Sequence, residues 1–405
     1  MVHTGEQKIQ WAFQYMPVLQ AIRKRFEKEK PLAGHRVGMA LHVEAKTACL
    51  VRTLAAGGAE VSITGCNPLS TQDDVAEALR IGGIPCYAKR GCTTEEYYDA
   101  IDKVLGMKPT VTIDDGMDLI NRVHTVRRDA METIIGACEE TTTGIHRLIA
   151  MEAEGKLEFP VIDVNDTPMK HYFDNVHGTG ESALASIMLT TNCLVAGKHV
   201  VVAGYGYCGR GAALRAKGMG ANVVVTEIDA IKALEASMDG CRVMPMDEAA
   251  KIGDIFVTTT GCCDVITKRH FEIMKDNAFL SNAGHFDVEV NIKDLAQMAT
   301  KIYKRREEIV GYVLPDGRTL NVLAEGRLVN LASGNGHPAE IMDTSFAIQA
   351  LGMEYLAKNR DNLEKKVYEI PKEIDDAVSL LKLEGNGMKI DKLTEAQEKY
   401  LKGWE

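Results

Sequence analysis

Three groupings of residues in this sequence have types and spacings suited to chemistry. The first is Gly204-Tyr205-Gly206-Tyr207-Cys208-Gly209, which follows an apolar run at 198–203 and opens into a helical pattern at 212–216. In that setting Gly204 allows a tight turn, Gly206 lets the backbone approach a pyrophosphate, and Gly209 lets helix and strand pack closely. The next apolar run ends at Glu227, where a carboxylate can accept from the ribose hydroxyls of NAD and would repel the extra phosphate of NADP. A glycine-rich turn with no cofactor is the plainer alternative. The second grouping is Lys170 and Asp174, four residues apart and so predicted to share one helix face. A solvated ion pair would look the same, and a lysine used as a base needs its pKa lowered. The third is a scatter of histidines and the run Asp114-Asp115-Gly116-Met117-Asp118. Histidine titrates where it can both give and take a proton. Aspartates in such a turn commonly just cap the backbone, the reading given to Asp114 and in part to Asp118. His124, His146 and His177 are read as structural.

These side chains need a scaffold, and the hydrophobic rhythm names one. Short apolar runs at 36–41, 61–64 and 110–113 alternate with longer helical patterns, and a second series runs through 198–203, 222–226 and 254–258. Such alternation predicts parallel strands with crossover helices. The expected fold class is α/β, two doubly wound Rossmann-like parallel-sheet domains with a short helical C-terminal tail. The first domain is expected over 1–176 and the second over 180–336. Junctions are expected near Asn175 to Gly180 and in the turn-rich SGNGHP at 333–338. The patterns after Ala339 read as helices without a strand of their own, so 338–368 is expected to return to the first domain and 369–405 to form the tail.

Composition narrows the function classes. A chain of 405 residues, 45% hydrophobic, can bury more than one core. The net charge of −10 comes from interspersed acids and bases and leaves no basic stripe for a phosphate backbone, so no nucleic-acid partner is expected. Ten cysteines without a Cys-x-x-Cys pair read as reduced thiols of a cytoplasmic protein, and no metal site is expected. The charged start and the lack of any apolar run approaching a membrane span predict neither a leader nor a membrane partner.

Long segments carry a resemblance: NPLSTQD at 67–73, DDGMD at 114–118, EETTTG at 139–144, FDN at 173–175, NAGHFDVE at 282–289 and AEGRLVN at 324–330. Over essentially the whole chain the sequence resembles the S-adenosylhomocysteine hydrolase family. The resemblance implies a substrate-binding first domain, an NAD-binding second domain, and reversible hydrolysis of a nucleosyl thioether of homocysteine. In that chemistry NAD oxidises the 3'-hydroxyl, the C4' hydrogen becomes acidic, homocysteine leaves, water adds at C5', and the stored hydride returns. By the same resemblance Lys170 and Asp174 assist removal of the 3'-hydroxyl proton, Asp115 takes the C4' proton, His42 and His285 serve the C5' end, and Glu140 binds the sugar hydroxyls. Asn175, Asn165 and Asn330 surround the ribose and carboxamide. Thr141, Thr142 and Thr143 line the nicotinamide side, and Thr259 and Asn282 join Gly204, Gly206, Gly209 and Glu227 around the cofactor. Thr47, His337 and Met342 complete the substrate set, with His337 in a hinge-like loop closing over the ligand. A homotetramer is implied, and the tail at 369–405 is its oligomerisation segment.

The sequence departs from the family pattern after the first catalytic histidine. The common form has Thr two residues on and Glu four residues on, the Glu accepting from the adenine amino group; here the run is His42-Val43-Glu44-Ala45-Lys46-Thr47. Lysine only donates and ionised glutamate only accepts, so Lys46 to O6 and Glu44 to N1–H would complement hypoxanthine and predict a preference for S-inosylhomocysteine. The alternative is S-adenosylhomocysteine, with Glu44 turned onto the amino group and Lys46 paired to another carboxylate. The chain stops at YLKGWE, 400–405, so tail contacts that the family sends to the NAD of a neighbouring protomer are not carried over. An NADH-releasing dehydrogenase shares the glycine fingerprint; it leaves two histidines and a carboxylate around one sugar unexplained.

Overall fold

The structure, a computed structural model, describes residues 2–404. The first sheet begins with β1 (Arg36–Ala40), β2 (Glu60–Thr64), β3 (Val111–Asp114), β4 (Gly136–Glu139) and β5 (Val161–Asp163). The second holds β6 (His199–Ala203), β7 (Asn222–Thr226), β8 (Arg242–Val243), β9 (Ile255–Thr258), β10 (Phe279–Asn282), β11 (Lys301–Arg306), β12 (Ile309–Val313) and β13 (Thr319–Leu323). The chain then returns to the first sheet with β14 (Val367–Glu369). Strand orders are β14-β5-β4-β3-β1-β2 and β11-β12-β13-β10-β9-β6-β7-β8. Every pairing in the first sheet is parallel, as the near-continuous apolar runs demand of strands buried on both faces. Two Rossmann-like sheets are therefore present, the second extended by the antiparallel pairs β11–β12 and β12–β13.

Strand order reverses between β1 and β3 in the first sheet and between β6 and β9 in the second. Ligands of open α/β sheets bind beyond the strand C-termini at such reversals. His42 follows β1 and Asp115 follows β3; Gly204 follows β6 and Thr259 follows β9. The chemistry-bearing residues are thus placed by topology before any side chain is considered.

The junction expected near 175–180 is built of helix: the π-helix His171–Gly178 runs directly into the helix Thr179–Thr191, which packs against the helix Tyr207–Gly218. Two expectations are corrected. The region after Ala339 does contain a strand, because Val367, Tyr368 and Glu369 find free edge groups on Val161, Ile162 and Asp163. The tail begins later than 369. The helix Lys372–Gly385 packs against Pro17–Glu29 and Ala339–Asn359, and its Val378 is wholly buried in the first core. Among the described residues no helix is long and apolar enough to cross a membrane.

Candidate active site

The helix Ala45–Ala56 starts immediately beyond β1, and Glu44 caps it: the carboxylate accepts from the backbone N–H of Thr47 and of Lys46, each at 3.2 Å. That cap fixes the turn that presents His42. Thr47 Oγ1 donates to His42 O at 2.6 Å, and Ser70 Oγ lies 2.7 Å from His42 Nδ1. The other ring nitrogen, Nε2, is 3.3 Å from Asp115 Oδ2. Burial, opposed by the Asp115 charge and reinforced by His285 and His337, pushes the His42 pKa down to about 4, so the ring is neutral.

Asp115 sits between two imidazoles. Its Oδ1 is 3.4 Å from Nδ1 of His285, which arrives from the loop after β10 in the other sheet. The ring of His285 reaches that position because Gly116 has φ +96° and no side chain; a Cβ there would stand 2.2 Å from His285 Nε2. Asp114 takes the capping role expected of it, accepting from Asp115 N–H at 2.9 Å and Ile120 N–H at 2.8 Å. Asp118 is held by Arg147 at 2.9 Å and Tyr97 at 3.1 Å.

A second polar cluster lies where the first sheet meets the π-helix. Lys170 Nζ donates to Asn175 Oδ1 at 2.9 Å and Asn165 Oδ1 at 3.1 Å, and Asn175 Nδ2 donates to Asn165 at 3.1 Å. The widened π turn puts residues five apart together, so Lys170 meets Asn175 directly while Asp174 Oδ1 is 4.0 Å away. The expected pairing of Lys170 and Asp174 is present as an ion pair at 4.0 Å, reached across a π turn and not an α turn. The expected lowering of the lysine pKa is corrected. Burial does push it down, but the charges of Asp174 and Glu140 outweigh burial and raise it. Asp174 stays ionised: burial opposes the charge, and Lys170 and His337 overcome that. His337 Nδ1 is 2.8 Å from Asp174 Oδ1, and Ser345 Oγ donates to Oδ2 at 2.7 Å. Met342 is half-buried in the first turn of the helix carrying Ser345.

Glu140 Oε2 accepts from Gln349 Nε2 at 2.6 Å, whereas Glu140 Oε1, Gln349 Oε1 and Asn330 Oδ1 are buried without a hydrogen-bond partner, the first having only the Lys170 ammonium 3.9 Å away. Burial raises the Glu140 pKa. Unpaired buried acceptors are costly, so the two on the bonded Glu140–Gln349 pair, with a third on Asn330, point to a donor-rich ligand. Sugar hydroxyls and a carboxamide NH2 have the needed N–H and O–H groups. Gln349, Ser345, Ser70, Ser182 and Cys66 were not picked out from the sequence. Gln349 and Ser345, one turn apart on a long helix buried over most of its length, were the visible signal.

The glycine fingerprint has the geometry of a phosphate cradle. Gly204 has φ +94°, a Cβ on Gly209 would meet Gly204 O at 2.0 Å, and nothing lies within 4 Å of a Cβ on Gly206. Open space at Gly206 beside the N-terminus of Tyr207–Gly218 suits a pyrophosphate. Glu227 follows β7 and accepts from Tyr205 N–H at 2.6 Å and Ile228 N–H at 2.7 Å, facing the glycine turn. Thr143 approaches Gly261 across the cleft, its Oγ1 being 3.7 Å from a Cβ built there, and Thr141 and Thr142 stand at the start of the same helix. Two residues expected at the cofactor also brace the scaffold around it. Thr259 Oγ1 donates to Ala203 O at 2.7 Å and so braces the turn from beneath. Asn282 is wholly buried; its amide is bonded to Thr258, Gly284 and Phe286, which spends it on ordering the loop that carries His285.

The base-reading pair is also revised. Lys46 Nζ contacts Glu44 Oε2 at 2.5 Å and donates to Asn335 O at 2.5 Å. Glu44 is therefore spent on the helix cap and on Lys46, and Lys46 keeps one N–H.

Residues 1–134 match the family profile described as S-adenosyl-L-homocysteine hydrolase, and residues 175–336 match its NAD binding domain. The chain is 59% identical to the S-inosyl-L-homocysteine hydrolase of Methanosarcina acetivorans, covering 100% of this chain and 98% of that protein. It is 58% identical to the adenosylhomocysteinase of Archaeoglobus fulgidus, covering 99% and 98%. Among solved structures, a dipicolinate synthase chain of Bacillus halodurans superposes with a TM-score of 0.52 at 14% identity, over 81% of this chain and 99% of that one, and shares the fold alone. With an NAD-binding domain in place and relatives matching from end to end, the chain belongs to the S-adenosyl-L-homocysteine hydrolase family.

Proposed function

We propose that this enzyme hydrolyses S-inosyl-L-homocysteine to inosine and homocysteine, reversibly, with S-adenosyl-L-homocysteine as the poorer substrate. The observation carrying the reaction type is the pair of clusters in one cleft: His42, Asp115 and His285 at one end, Lys170, Asn175 and Glu140 at the other. Bound NAD would supply the acceptor for the hydrogen leaving C3' and the donor that returns it. The Lys170 ammonium takes the 3'-hydroxyl proton as it gives one of its own to Asp174, so that the alkoxide is stabilised as it forms; the exchange runs backward when the hydride returns, and Glu140 Oε1 accepts from a second ribose hydroxyl. Asp115 takes the C4' proton, made acidic by the adjacent ketone. The C5'–S bond then breaks as a C4'–C5' double bond forms, and His285 delivers a proton to sulfur. His42, held neutral, takes a proton from the water whose oxygen adds at C5'. Asp115 returns its proton to C4', and the proton gained by His42 resupplies His285 across Asp115, which leaves hydrolysis as the net change.

Overall identity does not choose the base, since relatives carrying either name stand at 59% and 58%. The remaining Lys46 N–H supports the inosyl substrate: it complements a C6 carbonyl and opposes a C6 amino group. The cap on Glu44 counts against its turning to the adenine amino group. Chromatography of the products from each nucleosyl-homocysteine tests reaction and base together. Turnover of the adenosyl compound at equal or better kcat/KM would overturn the base assignment, and net NADH accumulation would overturn the hydrolase mechanism.

The proposal extends to organisation. Residues 1–176 and 338–385 form the substrate domain and 180–336 the NAD domain. The resemblance supports a homotetramer, to be checked by light scattering. The lack of a disulfide framework in the sequence supports a cytoplasmic site of action.

A further inference from the structure

His42, Cys66 and Asp115 come from three neighbouring loops of the first domain, after β1, β2 and β3. One ring nitrogen of His42, the thiol of Cys66 and one carboxylate oxygen of Asp115 lie within 4.8 Å of one another. Asp115 Oδ2 is 3.3 Å from His42 Nε2 and 3.8 Å from Cys66 Sγ, while Cys66 Sγ is 3.3 Å from the other ring nitrogen, Nδ1, so whichever nitrogen serves, one edge of the triangle is longer, up to 4.8 Å. A tetrahedral zinc site with bonds of about 2.0–2.3 Å has ligand-to-ligand edges of roughly 3.3–3.8 Å, so two edges already match and the third must close by about an ångström.

We propose that His42, Cys66 and Asp115 form a binding site for a soft divalent cation of the Zn2+ type, which shuts off the enzyme when filled. Imidazole, thiolate and carboxylate together select such a cation over Mg2+ or Ca2+. The surroundings fit as well. Ser70 Oγ lies 2.7 Å from one ring nitrogen of His42 and orients the ring, while His285 sits on the second oxygen of Asp115. Partners of that kind steady ligands and tune affinity. Cys66 and Asp115 are buried, and all three ligands belong to one sheet, so the site forms without the second domain closing on the first. On binding, three bonds to the cation form, its waters leave, and the Cys66 thiol proton passes to solvent. The fourth position stays open to water or a ligand thiol. The binding stands on the geometry alone; the shut-off rests on the roles proposed above for His42 and Asp115.

The test uses NAD-loaded enzyme with Co2+ and Zn2+ as probes, in wild type, Cys66→Ser, Asp115→Asn, and a Cys262→Ser/Cys263→Ser control that removes the two exposed cysteines. The expected result is one Co2+ per chain with a thiolate-to-cobalt absorption band. That band should be lost in Cys66→Ser, weakened in Asp115→Asn and kept in the control. Zn2+ should inhibit the wild type and the control alike, chelator should reverse it, and Cys66→Ser should require about 10–100-fold more Zn2+. A band that survives Cys66→Ser but vanishes in the control, or no cobalt retained at all, would overturn the site. Cobalt bound through Cys66 with full activity would keep the site and overturn the catalytic roles of His42 and Asp115.

Discussion

His337 Nδ1 lies 2.8 Å from Asp174 Oδ1, tying the loop that leaves the second domain to the π-helix that carries Asp174 beside Lys170. The other ring nitrogen is 3.3 Å from Thr179 Oγ1, which continues the tie into the helix beyond. The loop expected to close over the substrate thus also holds the carboxylate that sets the charge on Lys170. His337→Ala is predicted to lower kcat by about a hundredfold, the order of cost of displacing a reacting group by an ångström. His337→Gln, which keeps a hydrogen bond to Asp174, should recover part of it. Single-turnover measurement of cofactor reduction separates this step from substrate binding.

Base choice follows from one side chain, and its reversal is predicted. Lys46→Glu alone places two carboxylates side by side, so the informative variant is Glu44→Thr/Lys46→Glu, which restores the common family pattern. The ratio of kcat/KM for the inosyl over the adenosyl thioether is expected to fall by roughly 10–10² or more, since each unpaired polar group costs about 1–3 kcal/mol. A ratio unchanged in the double variant would remove Lys46 from base recognition.

Much of the site was legible because its signals are local. The glycine fingerprint, Glu227 and the strand-end positions of His42 and Asp115 follow from short spacings and the α/β rhythm. The rest depends on long-range packing. Nothing in the spacing of Lys170 and Asn175 announces a π turn, which is fixed by the asparagines it brings together. Cys66 joins His42 and Asp115 only through the order of β2, β1 and β3. Asn282 and Thr259 were placed at the cofactor by resemblance, yet their hydrogen bonds run inward, a fact no pattern of residue types carries. The strand at Val367–Glu369 was missed because three residues on a sheet edge leave no periodicity to read.

Glu44 is predicted to matter for stability as much as for recognition. Removing a helix cap costs about 0.5–2 kcal/mol. Stranding a buried cation costs a further 3–5 kcal/mol or so, and Lys46 is only 6% exposed. Glu44→Ala should therefore lower the unfolding free energy by several kcal/mol, and Glu44→Ala/Lys46→Met should recover most of it. Denaturant melts of both variants check this; equal losses in the two would mean that the ion pair contributes nothing.

His42 gives the protein an acid-side weakness whose sign is fixed by burial. Its pKa falls from 6.5 to about 4 on folding, so between those values the unfolded chain binds more protons than the folded one. Stability contributed by the neutral ring is then complete above pH 6.5 and is lost as pH falls toward 4, by about 3 kcal/mol over the whole window. His42→Asn cannot titrate and should show a shallower decline in unfolding free energy over the same range. Parallel slopes for variant and wild type would mean that the ring titrates alike in the folded and unfolded chain, and burial would then not be what holds His42 neutral.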